Sequence, residues 1–335
     1  MTTPPSSSVG GPTLSLLVVT TSQAGPLAEA LDSIAAHLPP EVDRETIVVL
    51  SGASPEVREV VASRREPLVV VASPVNLGVA GGYNRARSAA RGRWLALVHD
   101  DVRIEPGWFG PLAETLLEHP EAGAVASLVL DPDGSLQSAG SLVWREGWTT
   151  VPWPAAEPPD PEAFVEVEPI DYGGTAAIVV RREVFDAVGG LDEELHPAYY
   201  VDVDLCLSIR RLGRTVLLQP ASRVRHRRSS STTARFREFL VLRNRQRMLR
   251  KWAAELAERP SVDLTPEGLA RARERVRAEA AAIAREDAAA PSPLPSRFSL
   301  DVEAQQLRLA RLGAEIRRAY RIWETSAAEE PVTIL

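Results

Sequence analysis

Four short apolar runs, separated by segments with helical spacing, leave the first hundred residues of this chain few ways to fold. The runs are Leu14 to Val19 (LSLLVV), Ile47 to Leu50 (IVVL), Leu68 to Val71 (LVVV) and Trp94 to Val98 (WLALV). They are too short for buried helices and have the near-continuous apolar character of strands covered on both faces. Between them, Pro26 opens a stretch in which Leu27, Leu31 and Ile34 recur at helical spacing. Val57, Val60 and Val61 mark a second helix after the loop Ser51-Gly52-Ala53-Ser54-Pro55. Asn76 to Gly82 reads as a glycine-rich turn leading into a third helix that ends near Ala90. This alternation predicts an α/β fold with a mostly parallel, doubly wound sheet. Ligands of such sheets bind outside the carboxyl ends of the strands. The loops after Val19, Leu50, Val71 and Val98 therefore share one rim, which carries Thr20, Thr21 and Ser51.

A chain of 335 residues suits one catalytic domain of about 250 residues with an appendage. Val125–Leu130 and Ala176–Val180 read as strands around a Pro-rich stretch, VPWPAAEPPDPE, which forms a loop and hairpin layer. Residues 183–189 and 202–212 read as short helices, the second ended by Gly213, and Val216–Leu218 as a further strand. Beyond Arg250 the pattern is helical. Thr265 and Pro266 make a capped start, and Leu269, Val276 and Ile283 then repeat every seven residues. A last helix carries Leu309, Leu312, Ile316, Tyr320 and Trp323 on one face. The expected division is a disordered lead-in at 1–12, a domain at 13–250, and a helical C-terminal extension at 251–335 with a linker near 288–298. The extension is expected to pack on the domain or on a second copy, as a homo-oligomer.

Composition narrows the function. Cys206 is the only cysteine, so there is no intrachain disulfide and no cysteine metal cluster. No apolar run reaches the roughly 18 residues of a membrane span, and residues 1–12 lack the pattern of a signal peptide. The expected location is the cytoplasm, with peripheral contact at the inner face of the cell membrane. A net charge of -7 argues against a general nucleic-acid binder. The segment from Ile209 to Lys251 is nevertheless intensely basic, and Arg223, Arg225, Arg227, Arg228, Arg235 and Arg237 have only Glu238 among them as an acid. This segment is either a solvated face or a surface that attracts a diphosphate or anionic lipid headgroups.

The residues with chemical potential fall in a fixed order. Asp100 and Asp101 follow an apolar strand at the rim, next to His99, where hard oxygen ligands suit a divalent cation. An aspartate pair there also suits a plain turn. Gly78, Gly81 and Gly82 allow a backbone to approach a ligand closely, although the spacing is not that of a dinucleotide fingerprint. Asp202 and Asp204 open a helix, where the macrodipole favours carboxylates. His226 stands alone in VRHRRSS, and Arg243-Asn244 follows it.

In this order, NLGVAGGYNRA, HDD, YGGTAAIVVRREVFDAVGGLDEEL, YYVDVDL and RHRRSS resemble the family 2 glycosyltransferases of GT-A (Rossmann-like) fold, nearest the rhamnosyl- and galactofuranosyl-transferase-like members. The resemblance covers roughly residues 14–250. It implies an inverting transferase that moves a sugar from a nucleoside-diphosphate donor, dTDP-rhamnose or a UDP-sugar, to a glycan or polyprenyl-linked acceptor. It implies Mg²⁺ or Mn²⁺ held by Asp101 and His226, with His99 in place of the first acid of the Asp-x-Asp element. Asn76, Gly78, Gly81, Asn84 and Asp100 become donor-site residues, and Asp202 the general base. Gly174, Thr175 and Asp204 fall on the acceptor side, with Arg243-Asn244 similar to a family pair that has no assigned role. Two departures stand out: Leu50 replaces the acid that contacts the base, leaving that contact to Thr20, Ser51 or backbone groups, and Val201 replaces a glutamate. A catalytically degenerate scaffold and an arginine-rich membrane or nucleic-acid adaptor are the alternatives.

Overall fold

The structure, a computed structural model, describes residues 13–227, 232–285 and 301–327. The expected lead-in at 1–12, the linker near 288–298 and Arg228 lie outside the described residues. Along the chain run β1 (Leu14–Thr20), α1 (Ala24–His37), β2 (Arg44–Ser51), α2 (Pro55–Ala62), β3 (Leu68–Ser73), α3 (Gly78–Ala89) and β4 (Trp94–His99). They are followed by β5 (Val102–Ile104), α4 (Phe109–Glu118), β6 (Ala122–Leu130), β7 (Leu136–Ser138), β8 (Leu142–Val143), β9 (Thr149–Thr150), β10 (Glu168–Pro169) and β11 (Ala177–Arg181). The chain continues through α5 (Arg182–Ala187), α6 (Val201–Arg211), β12 (Thr215–His226), α7 (Ala234–Lys251), α8 (Ala253–Ala257), α9 (Pro266–Arg285) and α10 (Val302–Ala327).

The main sheet has the order β10-β12-β6-β11-β4-β1-β2-β3, with β5 added to β12 and β7 to β6. β3-β2-β1-β4 is parallel throughout, as the alternation predicts. β11 then enters antiparallel between β4 and β6, so the sheet is mixed beyond β4. The inner parallel strands β1, β2 and β4 are apolar on both faces because helices cover both, whereas the edge strand β3 leaves Val69 and Val70 exposed. β1 and β4 are buried along nearly their whole length, with Leu14, Leu16, Leu17, Leu95 and Leu97 at zero exposure.

Two local readings change. The Asn76–Gly82 stretch is mostly helical rather than a turn, since α3 begins at Gly78. Its glycines are spacing devices: a Cβ on Gly82 would stand 2.4 Å from a methyl of Val19 in β1. β12 runs from Thr215 to His226, far beyond the three residues expected, so His226 ends a strand rather than sitting in a loop.

The C-terminal helices share the core of the domain. Leu309, Leu312 and Ile316 of α10 are buried in the same cluster as Leu77, Ala80 and Tyr83 of the α3 region. Tyr320 and Trp323 continue that face against Phe236 and Phe239 of α7. α9 packs Leu269, Ala272 and Val276 on Leu142 and Trp144. The apolar faces expected to meet the domain or a second copy are thus used within the chain. Among the described residues no helix is long and apolar enough to cross a membrane.

Candidate functional site

β1 and β4 end side by side at the rim, where Val19 pairs with His99. The chain turns through Asp100 and Asp101 and re-enters the sheet as β5, which pairs antiparallel with the end of β12 so that Val102 faces His226. The amide of Arg227 extends this ladder by donating to the Asp101 carbonyl at 3.1 Å. Backbone register therefore brings together residues more than a hundred positions apart. His226 Nε2 lies 3.2 Å from Asp101 Oδ1, His99 Nδ1 lies 4.0 Å from the same oxygen, and the two rings meet edge to face at 5.6 Å.

His99, Asp101 and His226 can each present one ligand atom, all within 4.8 Å of one another. Two atoms bound to one ion at about 2.1 Å stand about 3 Å apart when at right angles, so the spacing fits a single divalent cation. The His226 imidazole is held in the tautomer that such a role needs. His226 Nδ1 faces Gln137 Oε1 at 2.7 Å, while Gln137 Nε2 donates to Asp131 at 2.8 Å and to the His226 carbonyl at 3.0 Å. Because the amide nitrogen is spent on two acceptors, Oε1 must accept, so Nδ1 carries the proton and Nε2 keeps its lone pair. His99 Nε2 contacts the Thr175 hydroxyl at 3.1 Å, which leaves Nδ1 toward Asp101. Burial, aided by the neighbouring His226, lowers the His99 pKa to about 4, so this ring is neutral at working pH. Burial raises Asp100 to about 6 against the opposing pull of the Thr20 hydroxyl, with Asp101 adding to the rise.

The second half of the site is Asp202, in the first turn of α6. Its Oδ1 accepts from the Val203 amide at 2.9 Å. Gly174 lies against this carboxylate, where even a Cβ would meet Oδ2 only at an ordinary contact of 3.7 Å. Burial raises the Asp202 pKa from 3.8 to about 6. Gly174 and Thr175 thus lie between the two halves, one against Asp202 and the other holding His99. Gln137 and Thr175, the residues that orient the imidazoles, carry no sequence signal for that role: one sits in a three-residue strand and the other is expected on the acceptor side.

Several expected donor-site residues are placed elsewhere. Asn84 is fully buried, with its amide bonded to both the Leu191 amide and carbonyl and to Glu193, which braces α3 against the loop after α5. Gly81 lies under α10, where a Cβ would stand 2.6 Å from Leu309 Cδ1. Gly78 has φ 66° and abuts His196 and Pro197. Ser51 is buried and accepts from the Leu77 amide at 2.8 Å, and Thr20 is buried beside Asp100. Thr21, Asn76 and Asp100 remain reachable. Asn76 Oδ1 accepts from the Gly78 amide at 2.7 Å. Leu50 and Val201, at the places of the two missing acids, are buried core residues. Asp204 is fully buried and braces α6, bonded to Trp252 Nε1 at 2.8 Å and to Lys251 at 2.6 Å, rather than opening toward an acceptor.

Three arginines of the basic segment have counter-charges from distant parts of the chain: Glu162 for Arg223, Glu105 for Arg225 at 2.7 Å and Glu29 for Arg227 at 3.5 Å. Trp144 is buried beneath α9, Trp148 lies under the Arg245 guanidinium, and Trp153 packs edge-on against Phe164.

The family model described as Glycosyl transferase family 2 matches residues 15–189, about half of the chain. An O-antigen biosynthesis protein of Myxococcus xanthus is 31% identical over 156 residues, covering 45% of this chain and 12% of the relative. An N-acetylglucosaminyl-diphospho-decaprenol L-rhamnosyltransferase of Mycobacterium tuberculosis is 30% identical over 151 residues, 42% of this chain and 48% of the relative. The matched stretch thus spans less than half the length of either relative. Among solved structures, GalNAc-T7 with UDP, GalNAc and Mn²⁺ superposes with a TM-score of 0.59 at 15% identity, covering 80% of this chain and 55% of that one. A mannosyltransferase of Pyrobaculum calidifontis with GDP-Man and Mn²⁺ covers 96% of this chain and 85% of its own, with a TM-score of 0.51 at 19% identity. These likenesses establish the fold, which is that of the GT-A glycosyltransferases.

Proposed function

This chain belongs to glycosyl transferase family 2, and from that membership we propose that it transfers a sugar, with inversion, from a nucleoside diphosphate to a hydroxyl of a glycan or lipid-linked acceptor. One arrangement supports the reading above all. A half-buried carboxylate, Asp202, and a two-imidazole, one-carboxylate set, His99, Asp101 and His226, flank the Gly174-Thr175 dipeptide. Direct displacement needs a base on the acceptor side and a charge sink on the leaving-group side. Asp202 takes the proton of the acceptor hydroxyl as its oxygen bonds to the anomeric carbon. The bond from that carbon to the diphosphate breaks, and the nucleoside diphosphate leaves with the electron pair. Asp101, His226 and His99 would hold a divalent cation, which would supply positive charge on the leaving-group side. Thr21, Asn76 and Asp100 line the donor side. The rhamnosyltransferase and O-antigen relatives support dTDP-rhamnose as the leading donor and cell-envelope or exopolysaccharide synthesis as the setting.

Calorimetric titration of UDP and dTDP, with Mn²⁺, with Mg²⁺ and without metal, tests this reading on the wild type and on Asp101→Ala. Binding should require metal and vanish in the variant. Mg²⁺ dehydrates reluctantly and is usually held by carboxylates, phosphates and water, so with two imidazoles in the set Mn²⁺ should support tighter binding. Absence of nucleotide binding with either metal would overturn the proposal.

A further inference from the structure

Tyr199 and Tyr200 have φ of 72° and 66°. Two successive aromatic residues in the left-handed region are uncommon, and the surroundings must offset the strain of each. They stand immediately before α6, whose first turn contains Asp202, and the cap residue Tyr200 makes no side-chain capping bond. The chain enters α6 in a conformation that its own sequence does not favour.

The restraint comes from α7. Asn244 is fully buried there, and its amide nitrogen faces the carbonyls of Leu195, Ala198 and Tyr199 at 3.0, 2.8 and 3.0 Å. Its side-chain oxygen accepts from Arg243 at 2.5 Å. The Arg243 guanidinium also donates to the carbonyls of Glu194 and His196 at 3.2 and 3.3 Å. Farther along, Lys251 joins Asp192 to Asp204, which ties the far side of the same loop to the body of α6. The Tyr200 hydroxyl donates to the Gly147 carbonyl at 2.9 Å, so the tyrosine itself is anchored.

We propose that Asn244 is a positioning residue for the transfer reaction: by gathering the carbonyls of Leu195, Ala198 and Tyr199 it holds Tyr199 and Tyr200 left-handed and so sets how Asp202 enters the site. This rests on the assignment of Asp202 as the base. Asn244 itself is sealed in the core, and its side chain bonds to these backbone carbonyls and to Arg243. A carboxylate of the same shape would face three carbonyls with no donor, so the amide is specific to the task.

The groups that face Asp202 are Tyr172 from the loop before β11, Tyr200 from the turn, and Cys206 from α6. Burial pushes all three above their ordinary values, Tyr172 and Cys206 to about 12, so none changes charge in the working range. Asp100 on the donor side, also raised to about 6, titrates in the same range, so Asp202 is read from the part of the acid limb that differs between the wild type and Asn244→Ala. If the bracket loosens and water reaches the carboxylate, that limb should move down from about 6 toward the ordinary carboxylate value.

The test uses the full chain and measures kcat, donor KM, the pH profile, Mn²⁺-dependent UDP binding and thermal melting. Asn244→Ala should stay folded and bind UDP as the wild type does. Its kcat should fall about 10²-fold, the scale of a 1 Å misplacement, with KM unchanged and the acid limb lowered. Tyr199→Asn, a residue that enters the left-handed region more readily, should restore much of the lost kcat in the Asn244→Ala background. Should Asn244→Ala fail to fold, Arg243→Ala removes the lighter arm and should give the same pattern at smaller amplitude. Wild-type kcat, a parallel loss of UDP binding, or no rescue by Tyr199→Asn would overturn the role. Asp202→Asn separates the two ideas: full turnover there refutes the base, whereas a dead Asp202→Asn beside a fully active Asn244→Ala refutes only the bracket.

Discussion

Asp202→Asn should make the protein more stable while removing most of its turnover, and the size of the gain should follow pH. Burial raises the Asp202 pKa from 3.8 to about 6, so the folded state holds that proton more tightly than the unfolded chain. The carboxyl therefore costs nothing below about pH 4. The penalty grows as pH rises from the unfolded toward the folded value and is complete above about 6. A shift of about 2 units at 1.36 kcal/mol each corresponds to about 3 kcal/mol. The side chain is half-buried rather than sealed, and solvent screening leaves about 1–2 kcal/mol of that. Asparagine keeps the shape and cannot ionise, so it removes the penalty. Urea melts of both proteins, run in chelator from pH 4 to pH 8, should coincide at the acid end and separate to about 1–2 kcal/mol above pH 6. The raised pKa of Asp100 contributes equally to both proteins and cancels. In the same variant kcat should fall about 10²–10⁴-fold. A stability difference that is flat with pH, or that favours the wild type at pH 8, would refute the picture of a strained, buried base.

Two further outcomes follow from the packing and the imidazole braces. Gln137→Ala should weaken Mn²⁺ binding about 10–100-fold, because His226 loses the acceptor that fixes its tautomer; titration of free Mn²⁺ by electron spin resonance measures this, and an unchanged affinity would remove Gln137 from the site. Leu309→Ala should cost about 2–5 kcal/mol and lower one cooperative transition, because Leu309 is fully buried over α3. A separate early melt of α10, with the main transition unmoved, would show that the helix is only loosely attached.

His99 and Asp101 are legible because a strand end announces itself as an apolar run that stops at polar residues, whereas His226 is picked out only by the resemblance, since the length of β12 cannot be read from the sequence. Trp94 to Val98 followed by His99-Asp100-Asp101 is such a stop. Asn84 and Gly81 are misplaced by sequence reasoning for a physical reason. Their local sequence shows small and polar residues after a strand, but the helix that covers Gly81 and the Gln305 side chain that joins Arg85 lie some 220 positions later. The same distance effect hides the acids opposite Arg223, Arg225 and Arg227, because charge read along the chain misses partners brought in by the sheet. Gln137 is invisible because one glutamine in a three-residue strand has no periodicity. The Arg243-Asn244 pair stands out by resemblance, yet its task emerges only once folding has drawn the carbonyls of residues 194–199 onto α7.

The pairing of β5 with the end of β12 has a consequence for how such a protein can change over evolutionary time. His226 meets Asp101 through backbone register, one step beyond the Val102–His226 pair. More than a hundred residues form a closed excursion between those two points; β6 and β11 within it are fixed by the sheet, but its surface loops, such as the Pro-rich stretch between β9 and β10, can vary without altering where they rejoin. Insertions, deletions and new loops in that excursion can remodel what the acceptor side recognises while the cation end stays as a fixed socket. Shifting the ladder by a single residue, by contrast, would turn His226 to the opposite face of the sheet. Diversification is therefore open in those loops and closed at the clasp.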